Sequence, residues 1–177
     1  MTAVSIQEII DMIQVITYAN PDKRILITMV GIPGSGKSTA AKLIKDQLGF
    51  DKVSVDEIRK EFISSHYSDY SENMVFEESY DRLKKSLETK GLAIFDATNA
   101  YPKWRRKTNR ICTYYYDISV CVYLDTSILT CLKRVQQNDR DDLPVDIIER
   151  MYSSLTRSVP SIDDGFDIVF RCKEFNE

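Results

Sequence analysis

The chain is short of the residues that build metal centres. It holds one histidine, His66, and four scattered cysteines, Cys112, Cys121, Cys131 and Cys172, with no Cys-x-x-Cys pair. That spacing argues against a zinc site, and the thiols are expected to be reduced core residues. Cationic surplus is also lacking: the net charge is −3, so any contact with nucleic acid must come from a local basic patch. No apolar run approaches the roughly 20 residues that a spanning helix needs; the longest, such as Ile118 to Leu124, are strand-sized. Met1 to Asn20 lacks a basic start and carries Glu8 and Asp11, so it does not read as a signal peptide. The expectation is a cytoplasmic chain that makes no membrane contact. Repeats, low-complexity tracts and linkers are missing too, which predicts a single domain over 1–177, with an N-terminal helix in 1–22 and a core in 23–177.

What is present is an alternation of short β-rich runs and helices. Ser5 to Glu8 has the form of a capping box, followed by Ile6, Ile9, Ile10, Ile13 and Ile16 at helical spacing. This predicts a helix laid on a sheet and ended by Pro21. Strands are expected at Arg24 to Val30, Lys52 to Val55, Leu92 to Phe95, Ile118 to Leu124 and Phe166 to Phe170. Helices are expected from about Ser38 to Leu48, from Asp56, and over Met74 to Lys90, Trp104 to Tyr114, Thr126 to Gln137 and Pro144 to about Ser158. Asn138 to Leu143 reads as a charged loop. Five such runs separated by helices predict an α/β three-layer sandwich around a mainly parallel sheet.

Gly31-Ile32-Pro33-Gly34-Ser35-Gly36-Lys37-Ser38 matches the phosphate-binding P-loop in full, and it follows an apolar strand and opens a helix. Its glycines let backbone N–H groups turn inward around phosphates, and the helix N-terminus adds partial positive charge. Gly31, Pro33, Gly34, Ser35, Gly36, Lys37, Ser38 and Thr39 are therefore expected to bind a nucleoside triphosphate. Within that set Lys37 would reach the β and γ oxygens and Ser38 would ligate Mg²⁺.

Asp96 follows the third expected strand, so its carboxylate should emerge at the edge of the sheet beside the loop. Water-activating ATPases commonly place glutamate directly after this aspartate; here Ala97 stands there. No Asn-Lys-x-Asp guanine-reading motif occurs. The acceptor is therefore expected to be a bound hydroxyl or phosphate. Asp56 and Arg59, three residues apart on an expected helix, should share one face, one able to accept a proton and the other to clamp an anion. Lys103, Trp104, Arg105, Arg106, Lys107 and Arg110 form the one basic cluster, and the interleaved aromatic suits single-stranded nucleic acid. His66, Tyr67 and Tyr70 lie in a polar stretch that could form an acceptor flap.

In Gly31 to Thr39, Ser54 to Arg59, Phe95-Asp96-Ala97-Thr98-Asn99 and Leu143 to Tyr152, the chain resembles the 5′-kinase domain of phage-type polynucleotide kinases, from about Ile25 to Arg157. The resemblance implies a P-loop kinase fold with strand order 2-3-1-4-5 and an α-helical lid, and ATP as donor with Mg²⁺. Asp56 would be the general base, with Arg59, Asp96, Asn99, Arg105 and Arg106 on the acceptor side. Lid arginines neutralise the transferring phosphoryl group in that family. Arg134 and Arg140 fall in the corresponding stretch, but Asn138 occupies the usual position of the second. A phosphatase domain such as the phage enzyme carries after its kinase is not expected within these residues. Small-molecule kinases acting on a nucleoside, sugar or antibiotic, and zeta-type toxins, share parts of the pattern, as would a nucleotide-binding regulatory module without turnover. The oligomeric state is not read from these residues.

Overall fold

The computed structural model describes residues 4–64, 71–137 and 143–173. Five parallel strands, β1 (Ile25–Val30), β2 (Asp51–Ser54), β3 (Leu92–Asp96), β4 (Ile118–Asp125) and β5 (Ile168–Lys173), form one sheet in the order β2-β3-β1-β4-β5. Every pairing is parallel, so all the strands end at the same edge. Central β1 is buried along its whole length, as a strand covered on both faces must be. Its Ile25, Ile27 and Met29 point into one core, and Leu26 and Val30 into the other side.

Helices α1 (Ile6–Ala19) and α2 (Lys37–Leu48) cover the first face through Ile9, Ile10, Ile13, Ala40, Ala41 and Ile44. The α1 start is the expected capping box: Ser5 Oγ accepts from Glu8 N, and Ser5 N donates to the Glu8 carboxylate at 2.7 Å. Val4 N donates to Arg171 O at 3.0 Å, tying the start of the chain to edge strand β5. Helices α3 (Val55–Ser64), α4 (Glu72–Thr89), α5 (Pro102–Cys112), α6 (Ile128–Gln137) and α7 (Val145–Arg157) complete the layers. All four cysteines are free and buried.

The second and last strands are shifted from the sequence reading. The second strand starts and ends earlier than Lys52 to Val55, because Val55 already opens α3 and turns inward beside Ile58. The last strand is Ile168–Lys173 rather than Phe166 to Phe170. Phe166 is instead a core anchor before it, 3% exposed, while Asp167 starts the pairing by accepting from Ser119 N at 2.7 Å. Among the described residues, no helix is long and apolar enough to cross a membrane.

Candidate active site

The sheet order changes direction at β1, whose neighbours β3 and β4 are reached by connections running to opposite sides. The crevice at such a point, beyond the carboxyl ends of the strands, is where open α/β sheets bind ligands. The P-loop connects β1 to α2 there and is clasped from both neighbours. On the β3 side, Gly31 N donates to Thr98 O at 3.0 Å, and Asn99 Nδ2 donates to Met29 O at 2.9 Å. On the β4 side, Thr126 Oγ1 donates to Ser35 O at 2.9 Å. Thr126 has no motif to announce it, and sequence reasoning missed it.

Within the loop, Pro33 and Ser35 are buried, and Lys37 is only 8% exposed with Nζ donating to Ile32 O at 2.9 Å. Lys37 opens α2, with Ser38 exposed and Thr39 half-buried in the same first turn. Gly34 lies at φ +78°, and a Cβ there would collide with the carbonyl oxygen of Cys131 on α6. Gly34→Ala therefore combines left-handed strain with a backbone clash. It should lower unfolding free energy by about 1–3 kcal/mol in a urea melt, and an unchanged midpoint would contradict this close packing.

Asp96 ends β3, 4% exposed. Burial pushes its carboxyl above the usual range, and Lys37 and a hydrogen bond from Ser38 pull it back. Its Oδ2 is buried without a hydrogen-bond partner. A hydroxyl and a carboxylate meeting beside a phosphate loop make a donor set of hard oxygens, and an orphaned carboxylate oxygen fits a cation such as Mg²⁺. The end of β3 thus sets Asp96 beside the loop, at the carboxyl edge of the sheet where it was expected. The Asp56 carboxylate adds a smaller upward push on the Asp96 carboxyl.

Asp56 and Arg59, one turn apart on α3, are joined by Nη1 donating to Asp56 Oδ1 at 2.5 Å. Arg59 is also held in two-pronged fashion by Glu72 at the start of α4, through Nε at 2.7 Å and Nη2 at 2.9 Å. Glu72 and then Asp56 raise the guanidinium's affinity for its proton against the opposing effect of burial. Glu72 escapes a reading of the sequence, since its only local signal is an acid in the first turn of a helix.

The basic cluster on α5 divides. Arg105 is fully buried: Nε donates to Asp164 at 2.6 Å, Nη1 to the carbonyls of Asn99 at 3.2 Å and Ala100 at 3.3 Å, and Nη2 to Ser158 O at 3.0 Å. It is a brace for the segment after Asp96, where an acceptor contact was expected of it. Asn99 is also built into the loop's support. At φ +47° and 4% exposed, its amide nitrogen is committed to the carbonyls of Met29 and Ala97. Arg106 does face solvent, with Nε also 3.2 Å from Asp164. Exposed Lys103, Arg106 and Arg110 thus fall at helical spacing on one outer face. Beside them the Trp104 ring stacks on Phe76 of α4, with centroids 6.1 Å apart and planes 7° apart. The ammonium groups of Lys103 and Lys107 lie 4.8 and 5.3 Å from its centroid.

Arg134 on α6 reaches the loop, donating from Nη1 to Gly34 O at 3.3 Å, while neighbouring Lys133 faces solvent. Arg140, His66, Tyr67 and Tyr70 lie outside the described residues.

The parallel order β2-β3-β1-β4-β5 and the loop it cradles define a P-loop kinase fold, the fold of nucleotide-binding phosphotransferases. Within that class the chain belongs to a family described as an AAA domain, which matches residues 26–158. No curated protein matches the chain. Among solved structures it is similar to a chain of the Pnkp1/Rnl/Hen1 RNA repair complex, at 22% identity and TM-score 0.67 over 82% of this chain. It spans only 47% of that chain's length. A gluconokinase from Sinorhizobium meliloti is 12% identical with TM-score 0.57, covering 87% of this chain and 85% of its own. Shikimate kinase from Bacteroides thetaiotaomicron is 17% identical with TM-score 0.54, covering 84% and 86%. At such identities these three establish the shared fold alone.

Proposed function

We propose that the chain transfers the γ-phosphoryl group of ATP to the 5′-hydroxyl of DNA or RNA. The observation that carries the acceptor is a continuous path from Arg59 to the basic helix. Glu72 grips Arg59, and Phe76, one turn further along α4, stacks on Trp104 beside the outer cations of α5. An anion-clamping arginine, an aromatic platform and a stripe of cations suit a strand of linked nucleotides better than a small neutral polyol. The RNA repair complex among the similar structures supports the same reading.

The P-loop amides and Lys37 hold the donor phosphates. Ser38 and Asp96 would hold Mg²⁺, which when bound neutralises phosphate charge. Asp56 accepts the proton of the attacking hydroxyl at its carboxylate, and Arg59 holds the phosphate next to that hydroxyl. Arg134, already at the loop, offsets charge on the group in flight, and Arg140 is proposed for the same task. Arg106 stays on the acceptor side as part of the outer stripe. The chemistry is positioning and electrostatics, as phosphoryl transfer requires.

The test is labelled-phosphate transfer from ATP to a panel of 5′-hydroxyl oligonucleotides, nucleoside 3′-phosphates, nucleosides, sugars and aminoglycosides at two salt concentrations. Oligonucleotides should be the best acceptors, with apparent affinity falling as salt rises by a log–log slope of roughly −0.7 per phosphate neutralised. Changing Lys103 and Arg110 to Glu together should raise the oligonucleotide KM several-fold and leave that of ATP unchanged. Efficient labelling of an uncharged small acceptor with none on any oligonucleotide would replace this reading by a small-molecule kinase. Absence of acceptor-dependent ATP consumption with every compound would leave a regulatory module.

A further inference from the structure

Arg105 divides its guanidinium among three separate pieces of chain. Nε donates to Asp164 in the short turn Ile162–Asp164, Nη1 to the carbonyls of Asn99 and Ala100, and Nη2 to Ser158 O at the end of α7. Ser154, one turn earlier on α7, adds a second tie by donating to Ala100 O at 3.1 Å. The segment held in this way is the one that clasps the phosphate loop, since Thr98 O accepts from Gly31 N and Asn99 donates to Met29 O. Helix α7 in turn packs on α6: Ile148 and Leu155 share a core with Cys131 and Val135, and with Ile32 of the loop. Arg134, on that same α6, donates to Gly34 O. A circuit of contacts therefore encloses the loop, and Arg105 joins its two halves.

We propose that Arg105 is a positioning residue that sets where Arg134 stands over the phosphate loop, by fixing the α6–α7 pair against the segment that clasps the loop. This rests on the reading of Arg134 as the group that offsets charge in flight, and not on which acceptor is used. Arg105 and Asp164 are both buried, and such an ion pair is weak as a source of stability, because desolvation offsets the attraction. What the guanidinium supplies is geometry. Its planar fork bonds in three fixed directions at once, which an ammonium on a flexible stem does not reproduce. The effect belongs to kcat. Ground-state phosphates are held by the loop amides and Lys37, whereas a charge aimed at the transferring group loses its worth when displaced. A shift of about 1 Å transmitted from a remote residue can cost roughly 10²-fold.

The experiment is a double-mutant cycle on kcat, with the best acceptor of the panel above. R105K keeps a charge opposite Asp164 and loses the fork. Alone it should lower kcat by about 10- to 10²-fold, with the KM for ATP changed by less than about threefold. In an R134A background it should cost less than about threefold in kcat, because the group it positions is gone. The melting temperature should fall by the same amount in both backgrounds, as for residues that share no partner. Equal kcat losses in the two backgrounds, or an unchanged kcat in R105K, would overturn the proposal and leave Arg105 a structural brace. Should R105K fail to fold, S154A runs the same cycle, since it removes only the hydroxyl that ties half-buried Ser154 to Ala100 O. A kcat loss in S154A that vanishes beside R134A supports the circuit; no loss, or an equal one in both backgrounds, overturns it. If R134A by itself leaves kcat unchanged, the reading of Arg134 fails and this inference fails with it. If no acceptor in the panel is labelled, phosphoryl transfer itself is lost and both readings go together.

Discussion

Asp56→Asn is expected to lower kcat by about 10²- to 10⁴-fold while the KM for ATP stays within a factor of two or so, the usual worth of a general base. The substitution keeps the shape of the side chain and an oxygen that can still accept from Arg59 Nη1. What it removes is the carboxylate proposed to take the proton. Asp56 stands on α3, one strand removed from the P-loop, so donor binding has no reason to suffer. Single-turnover phosphate transfer and ATP binding, measured on the same preparation, check the two halves separately. Normal turnover, or loss of ATP affinity in place of turnover, would remove Asp56 from the role of base.

Lys37→Ala should cost roughly 10²-fold or more in turnover, because it withdraws a charge placed where negative charge accumulates in phosphoryl transfer. The Lys37 ammonium donates to the Ile32 carbonyl at 2.9 Å, and triphosphate oxygens would compete for its protons. Its slight exposure makes the charge count for more than it would in open water. Alanine also removes a stem packed beneath the loop, so a melting curve must accompany the kinetics. A folded Lys37→Ala protein with near wild-type turnover would rule the assignment out.

The P-loop was legible because everything it needs is local. Three glycines, a lysine and a serine occupy consecutive positions between an apolar run and a helix start, so a reader along the chain sees the whole device. The alternation of strands and helices was equally legible, since burial on both faces leaves continuous β-branched runs such as Ile25 to Val30. The acceptor side was read less well. Arg105 and Arg106 are neighbours, yet one is fully buried and the other lies in the outer stripe. The buried face of α5 consists of Arg105, Thr108, Asn109 and Cys112, spaced as a helix face but mostly polar, so hydrophobic periodicity could not reveal it. The compensating partner, Asp164, is 59 residues away. Asn99 is a related case: its motif position suggested ligand contact, and nothing local showed that its left-handed backbone and buried amide also hold the end of β1.

The sequence by itself determined the class of fold, the donor loop and the Asp56–Arg59 spacing, because each follows from residues close together in the chain, where steric and periodic rules apply directly. Only the tertiary structure decided that Glu72 grips Arg59, that Thr126 and Asn99 clasp the loop, and that Arg105 is a brace. Each of these joins groups from different elements. A buried charge or amide is stable only where a partner waits, and where that partner waits is set by how the layers pack.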